Sequence, residues 1–468
     1  MKQTNLLLAT FLFITGALQA ANPNFVIIFA DDQGYGDLSC FGSKTIETPN
    51  IDRLAAEGRK FTSFMVASPV CTPSRAALLT ACYPKRVGMH QHVLFPSSRK
   101  GLHPKEHTIA DHLKAQDYAT ACFGKWHLGH LPEVLPTSNG FDTYYGIPYS
   151  NDMNHPDNRG KPRGGWQGMD ILWNDPESTL TKWKTPLFED EKIVELPVDQ
   201  RTITRRCTQK AIDFVKANKE KPFFVYLPHS MPHIPLYVPD DVRDPDPKNA
   251  YINTIEHIDT EVGRLLDVLD ELKLAGKTYV IYTTDNGPWL QFRHHGGSAG
   301  PLRDGKGTTF EGGQRVPCVM RGPGIPPGTV CSELTGTIDI LPTIAALTGA
   351  PLPAGKKIDG LDVSSLWLGK AKESPREEFL HYTSRGDLQG IRQGSWKLLV
   401  KNPRGRRNQN KNAPANASQV LLFDLSKDLG EQNNLAGQHP DIVKTLRQRM
   451  EALDKEITTN ARAPWTKG

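Results

Sequence analysis

The segment Cys71-Thr72-Pro73-Ser74-Arg75 puts a thiol at the mouth of a helix, ahead of the apolar run Ala76-Ala77-Leu78-Leu79. Thr72 reads as the N-cap and Pro73 as the first helical residue, where a missing N–H costs no hydrogen bond. Free amides and the helix dipole then favour negative charge beside residue 71. Arg75, one turn on, adds a fixed cation. Such a place can hold an anion or activate a nucleophile. An isolated C-x-P would read as a buried cysteine before a proline-initiated helix; the full C-x-P-S-R pattern is far more specific.

Four oxygen donors stand elsewhere in the chain, at Asp31-Asp32 and Asp285-Asn286. Taken singly these are ordinary turn or cap residues. Together, carboxylates so placed repel one another unless a cation sits among them, and hard oxygen donors without sulfur or imidazole point to Ca²⁺ or Mg²⁺. Gly124-Lys125-Trp126-His127-Leu128-Gly129 brings a lysine and a histidine into a glycine-flanked turn suited to close approach of a ligand. Pro228-His229-Ser230-Met231-Pro232-His233 carries two histidines, a residue type suited to protonating a departing alkoxide near neutral pH. Lys306 lies in the glycine-rich stretch Leu302–Gly313, which alone would mean only a flexible loop. The seven cysteines (40, 71, 82, 122, 207, 318 and 331) show no C-x-x-C spacing, so no zinc is assigned. With Cys71 set aside an even six remain, which permits disulfides in an exported protein.

These residues need elements to position them. Asn24–Ala30 is a short buried-type strand running into Asp31-Asp32, Phe223–Leu227 a second ending at Pro228-His229, and Thr278–Thr284 a third ending at Asp285-Asn286. Tyr251–Leu274 between the last two has helical periodicity. Strands alternating with helices predict an α/β fold whose large, mixed, mostly parallel sheet is sandwiched by helices, with ligands at the C-terminal strand edge. Residues 151–199 mix Gly, Trp, Pro and charge without a period and read as a long irregular insertion near the site. After Pro353, short strands around Leu380–Thr383, Gly390–Arg392, Trp396–Val400 and Val420–Asp424 predict a smaller α+β unit with an antiparallel sheet. Arg404–Asn416 is a basic loop within it, and Asp441–Ile457 closes it as an amphipathic helix.

The 468 residues are 38% hydrophobic and fit one large domain plus a smaller one. Met1–Ala20 has the charged start, apolar centre and small-residue end of an export signal, and no stretch is long enough for a confident membrane span. The formal charge of +5 mildly suits a polyanionic substrate, and no nucleic-acid-binding motif is present.

The C-x-P-S-R and G-K-W-H-L-G motifs, with the two acidic pairs and the G-K-x-T-x-x-E-G-G segment, resemble the type I, formylglycine-dependent sulfatases of the alkaline phosphatase superfamily. Within them the pattern leans to arylsulfatase-A-like and N-acetylgalactosamine-6-sulfatase-like members. It covers residues 22–350 in matching order and extends weakly into the C-terminal part through Leu422-Phe423-Asp424-Leu425. The resemblance implies a signal peptide 1–20, a catalytic domain 21–352 and a C-terminal subdomain 353–468. It implies that Cys71 is oxidised to Cα-formylglycine (3-oxoalanine) by a formylglycine-generating or sulfatase-maturating enzyme. Asp31, Asp32, Asp285 and Asn286, with the modified residue 71, would hold the cation; Ca²⁺ is preferred over Mg²⁺ for its looser geometry. Lys125 and Lys306 would bind sulfate, Arg75 would stabilise the ionised hydrate, and His127 would hold and deprotonate it. The family histidine precedes x-Pro, which selects His233 over His229 as proton donor. Ser150 matches a supporting serine, and His295, in Arg293-His294-His295, joins the 151–199 insertion in lining the sugar pocket.

The implied activity is hydrolysis of a sulfate ester, on a sulfated carbohydrate, in an exported, periplasmic or extracellular protein (lysosomal in a eukaryote). A phosphodiesterase or phosphonate monoester hydrolase of the same superfamily is the nearer alternative, and a non-catalytic sulfated-glycan-binding protein the more distant one. Asn416-Ala417-Ser418 fits a glycosylation sequon.

Overall fold

The computed structural model describes residues 22–153, 165–177, 184–400 and 420–468. The expected export signal, the basic loop Arg404–Asn416 and the sequon at Asn416 lie outside the described residues.

All seven residues of the strand Asn24–Ala30 are buried. A strand apolar on both faces belongs in the middle of a covered parallel sheet. Phe223–Pro228 and Thr278–Thr284 flank it, both parallel to it. Ala119–Phe123 and Thr143–Gly146 extend the parallel part on one side, and the hairpin of Leu187–Glu189 and Lys192–Glu195 closes that edge antiparallel. On the other side Arg315–Arg321 runs antiparallel between Thr278–Thr284 and Arg59–Met65. Thr329–Cys331 and Thr335–Gly336 complete the eleven strands beside Arg59–Met65.

The pleat of the central strand sorts the core into two layers. Val26, Ile28 and Ala30 join Ile255, Ile258, Val262 and Leu265 of the helix Ala250–Glu271 on one face. Phe25, Ile27 and Phe29 join Leu78 and Leu79 of the helix Cys71–Thr80, and Ile340 and Ile344 of the helix Ile340–Thr348, on the other. The predicted sandwich of helices around a mixed sheet is therefore the observed one.

The C-terminal strands Glu378–Tyr382, Leu388–Gln393, Trp396–Leu399 and Leu421–Asp424 form a separate antiparallel sheet. The helix Pro440–Thr459 covers it with Leu446, Met450 and Ile457.

Three expectations change. Residues 151–199 are not irregular throughout: they hold the helix Gly165–Asn174 and the edge hairpin. Met169 and Trp173, one turn apart, are the helix's buried anchors, too few to stand out among its glycines and polar residues. None of the seven cysteines is paired in a disulfide, and Cys71, Cys82, Cys122, Cys207, Cys318 and Cys331 are buried. Thr72 is not the N-cap: the helix starts at Cys71, Val70 is its cap, and Pro73 stands third. The Thr72 hydroxyl is engaged elsewhere, donating to the His127 carbonyl at 2.8 Å and accepting from the Leu94 N–H at 3.1 Å. Among the described residues no helix is long and apolar enough to cross a membrane.

Candidate active site

Parallel strands deliver their following residues to one edge. Ala30 and Thr284 are register partners, so Asp31-Asp32 and Asp285-Asn286 leave the sheet side by side. The adjacent strands deliver His229 to His233 and Gly124 to His127 at the same edge. Lys125 N–H donates to the Pro228 carbonyl at 2.7 Å, tying these two turns together. Gly124 has φ +140°, and a Cβ there would lie 1.9 Å from the Pro228 oxygen; the lysine turn therefore requires glycine. Cys71 enters from the helix on one face of the sheet.

The side chains converge on Cys71. Its Sγ lies 3.4 Å from Asp31 Oδ1 and 3.8 Å from Lys306 Nζ. Lys125 Nζ pairs with Asp31 Oδ2 and lies 3.2 Å from Ser150 Oγ. Arg75 donates twice to Asp285 Oδ2, at 2.8 and 3.1 Å, and once to the Lys125 carbonyl at 2.8 Å. Lys306 Nζ donates to Asp32 Oδ2 at 2.6 Å. His233 Nδ1 is 2.7 Å from the Ile234 carbonyl, which assigns its proton there and leaves Nε2 3.7 Å from Asp32 Oδ2.

Asp31, Asp32, Cys71 and Asp285 each present one ligand atom, all within 4.8 Å of one another and all buried. Asn286 Nδ2 donates to Asp32 Oδ1 at 2.8 Å, while its Oδ1 is buried with no hydrogen-bond partner. A buried amide oxygen left over beside three carboxylates fits a hard, oxygen-seeking cation. The three carboxylates are matched by Arg75, Lys125 and Lys306, so a dication would leave an excess of positive charge. That excess suits an anionic substrate.

Burial opposes the charge on Asp31, but Lys125, His233 and Arg75 hold its carboxyl far below the usual range. Burial, then Asp31, pushes the Cys71 thiol well up, so the unmodified sulfur is a poor thiolate nucleophile. Burial, with Lys125 and Arg75, holds His127 well below its ordinary value and therefore neutral. His127 Nε2 bonds the Leu94 carbonyl at 3.0 Å, and its buried Nδ1 has no partner, which leaves an unprotonated lone pair free to accept a proton.

Two histidines stand apart from this group. Both ring nitrogens of His229 are buried without partners, and burial with His257 lowers it to about 3; it is a neutral packing residue. His295 pairs with Asp170 at 2.8 Å in a second cluster.

Sequence reasoning passed over Trp289, whose ring lies 4.2 Å from Lys306 Nζ and 5.4 Å from the His233 ring. Its place directly after Asp285-Asn286-Gly287-Pro288 was the available signal. It also passed over the anchor of the Lys306 loop. Glu311 in that loop pairs with Lys397 at 2.9 Å, and Lys397 pairs with Glu431 at 2.9 Å. Glu431 Oε2 in turn accepts the Glu311 N–H at 2.7 Å. The C-terminal sheet thus grips the loop through buried charge.

The Sulfatase family model matches residues 23–350, and the model for the C-terminal region of aryl-sulfatase matches 374–464. Human arylsulfatase A is 39% identical over 459 residues, covering 92% of this chain and 88% of its own. The solved structure of Ps i-CgsB, in complex with k-i-k-neocarrahexaose, is 29% identical with a TM-score of 0.77, covering 96% of this chain and 95% of that one. The PsFucS1 sulfatase from Pseudoalteromonas sp. is 26% identical with a TM-score of 0.79, covering 96% and 93%. The matches run through every segment that supplies the Cys71 cluster, and the chain therefore belongs to the sulfatase family, whose members hydrolyse sulfate esters.

Proposed function

We propose that this sulfatase removes sulfate from a sulfated carbohydrate, using Ca²⁺ and a formylglycine formed from Cys71. The observation that carries the reading is the convergence of Asp31, Asp32, Asp285 and the unpartnered Asn286 oxygen on residue 71. A carbohydrate is favoured because a relative matching 96% of the chain was solved with a neocarrahexaose, and Trp289 beside Lys306 and His233 offers an apolar face to a sugar ring.

Asp31, Asp32, Asp285 and Asn286 would hold the Ca²⁺, which supplies charge neutralisation for sulfate and for the ionised residue 71. An aldehyde hydrate formed at position 71 would supply an oxygen nucleophile and a second hydroxyl. Lys125 and Lys306 hold the sulfate oxygens with charge fixed in advance by Asp31 and Asp32. Arg75, locked by Asp285, supports the ionised oxygen at residue 71. His233 Nε2 carries the proton to the leaving alcohol, its ring oriented by Ile234 and Ser150. His127 Nδ1 would take the proton from the second hydroxyl as the bond between residue 71 and sulfate breaks, so that sulfate leaves and the aldehyde carbonyl returns. The unit 21–352 contributes all of these groups, and 353–468 braces the Lys306 loop through Lys397 and Glu431. Export through Met1–Ala20 would bring the chain to a maturating enzyme and then to its periplasmic, extracellular or lysosomal substrate.

The test is mass spectrometry of the tryptic peptide ending at Arg75, together with release of sulfate from sulfated oligosaccharides and from a nitrophenyl sulfate. The expected mass is about 18 Da below that of the cysteine peptide, with sulfate released and a matching phosphodiester untouched. Unmodified thiol in active protein would overturn the nucleophile. Faster cleavage of the phosphodiester would favour the phosphohydrolase alternative.

A further inference from the structure

Asp170, His294 and His295 form a cluster of metal-ligating side chains that the sulfatase chemistry does not use. His294 Nε2 lies 2.7 Å and His295 Nε2 2.8 Å from the same oxygen, Asp170 Oδ1. All three ligand atoms fall within 4.8 Å of one another. The two imidazoles are neighbours in sequence, yet their ring centroids are only 4.5 Å apart. Consecutive side chains of an extended strand point to opposite faces. Here Arg293 adopts φ 52°, ψ −116°, a kink inside the short helical segment Leu290–His295. Such backbone is costly for a non-glycine residue and persists where surrounding structure or function demands it.

We propose that Asp170, His294 and His295 form a second metal centre, which takes a zinc ion. The donor set of two imidazole nitrogens and one carboxylate oxygen is that of three-ligand zinc sites, with a fourth position left for water or another oxygen. The alternative is a plain hydrogen-bonded strut. Both imidazoles aim at one carboxylate oxygen instead of dividing between two, which is the disposition of a monodentate carboxylate beside two ring ligands. Ligand atoms about 2.0–2.2 Å from a tetrahedral ion lie about 3.3 Å from each other. The observed 2.7 and 2.8 Å contacts would therefore open by only about 0.6 Å, within reach of a side-chain adjustment. His295 is 1% exposed while the side chains of His294 and Asp170 keep 24% and 25%, so the centre has a buried wall and a solvent-facing mouth.

Asp170 belongs to the helix Gly165–Asn174, and both histidines to the segment Leu290–His295. The ion would join these two elements. It is separate in both residues and donor type from the oxygen-rich Cys71 cluster. The absence of C-x-x-C spacing speaks only of cysteine sites and leaves this one open.

The test is zinc binding by the full chain, free of any polyhistidine tag, stripped with chelator and reloaded with Ca²⁺. Isothermal titration with Zn²⁺ is compared among wild type, His294→Ala and Asp170→Asn. Wild type should bind one more zinc than either variant, or bind it at least about 100-fold more tightly, the upper end of what losing a supporting partner costs. Co²⁺ titrated into wild type alone should give the intense visible bands of a four-coordinate site without a sulfur charge-transfer band, a readout that needs no variant to fold. Equal zinc stoichiometry and affinity in all three proteins, or only the weak bands of hexa-aquo-like Co²⁺, would overturn the proposal and leave the cluster a hydrogen-bonded strut.

Discussion

Replacing Lys306 with Gln separates chemistry from metal binding. Its ammonium lies 3.8 Å from Cys71 Sγ and 2.6 Å from Asp32 Oδ2, with 9% of the side chain exposed. At an effective dielectric of about 20, a unit charge at that distance from an anion on residue 71 is worth about 4 kcal/mol. Removal of one preorganised group that stabilises developing charge costs about 10²–10³ in rate, or about 2.7–4 kcal/mol. The two routes agree, so kcat for an aryl sulfate should fall by about 10²–10³. Lys306 and the cation share Asp32, so removing the ammonium should leave Ca²⁺ affinity undiminished. The assay is steady-state hydrolysis of nitrophenyl sulfate at saturating Ca²⁺, with Ca²⁺ affinity measured by calorimetry on the same preparations. A kcat within tenfold of wild type would refute the charge argument. A large loss of Ca²⁺ affinity would refute the division of labour at Asp32.

Three further outcomes are expected. Asn286→Ala deletes the one neutral oxygen donor of the cluster and should weaken Ca²⁺ by about tenfold or more, read by calorimetry, while urea stability in chelator falls by about 1–3 kcal/mol for the lost hydrogen bond to Asp32. Burial, then His257, holds His229 at about 3, below its unfolded value of 6.5. The native state then binds fewer protons, so its contribution is complete above pH 6.5 and is lost as pH falls towards 3. Between pH 6.5 and 5 that loss is about 2 kcal/mol, and His229→Phe should flatten the corresponding part of the stability profile. Lys397→Met removes the cation between Glu311 and Glu431, both deeply buried, leaving Glu311 only its longer pairs with Arg315 and Arg392 at 3.4 and 3.5 Å, and should cost about 3–5 kcal/mol in chemical denaturation. It should also lower kcat, because Glu311 anchors the Lys306 loop.

Much of the fold was legible because burial leaves a mark in residue type. Asn24–Ala30 and Thr278–Thr284 were found at their observed limits, since strands covered on both faces must be continuously apolar. The helix Ala250–Glu271 and the closing helix Pro440–Thr459 showed themselves by the spacing of their buried faces. The helix Gly165–Asn174 did not, because two anchors in ten residues make no period. Thr72 was misassigned for a different reason. Its type and its place before proline satisfy the capping rule locally, but its hydroxyl is claimed by His127 and Leu94 from distant segments.

The sequence by itself determined which groups could act. Cys71, Arg75, Lys125, His127, His233 and Lys306 are chemically suited, as are the oxygen donors Asp31, Asp32, Asp285 and Asn286, and their motifs sit at the ends of recognisable strands. Tertiary structure decided which of them meet. Asp32 and Asn286 are 254 positions apart and touch at 2.8 Å only because two parallel strands end in register. The same folding turned His229 inward as packing, drew His295 to Asp170, and fixed Lys306 from a second sheet by way of Glu311 and Lys397. Donor type and local spacing are properties of the chain. The balance of buried charge is a property of distances across the sheet, and only the fold sets those.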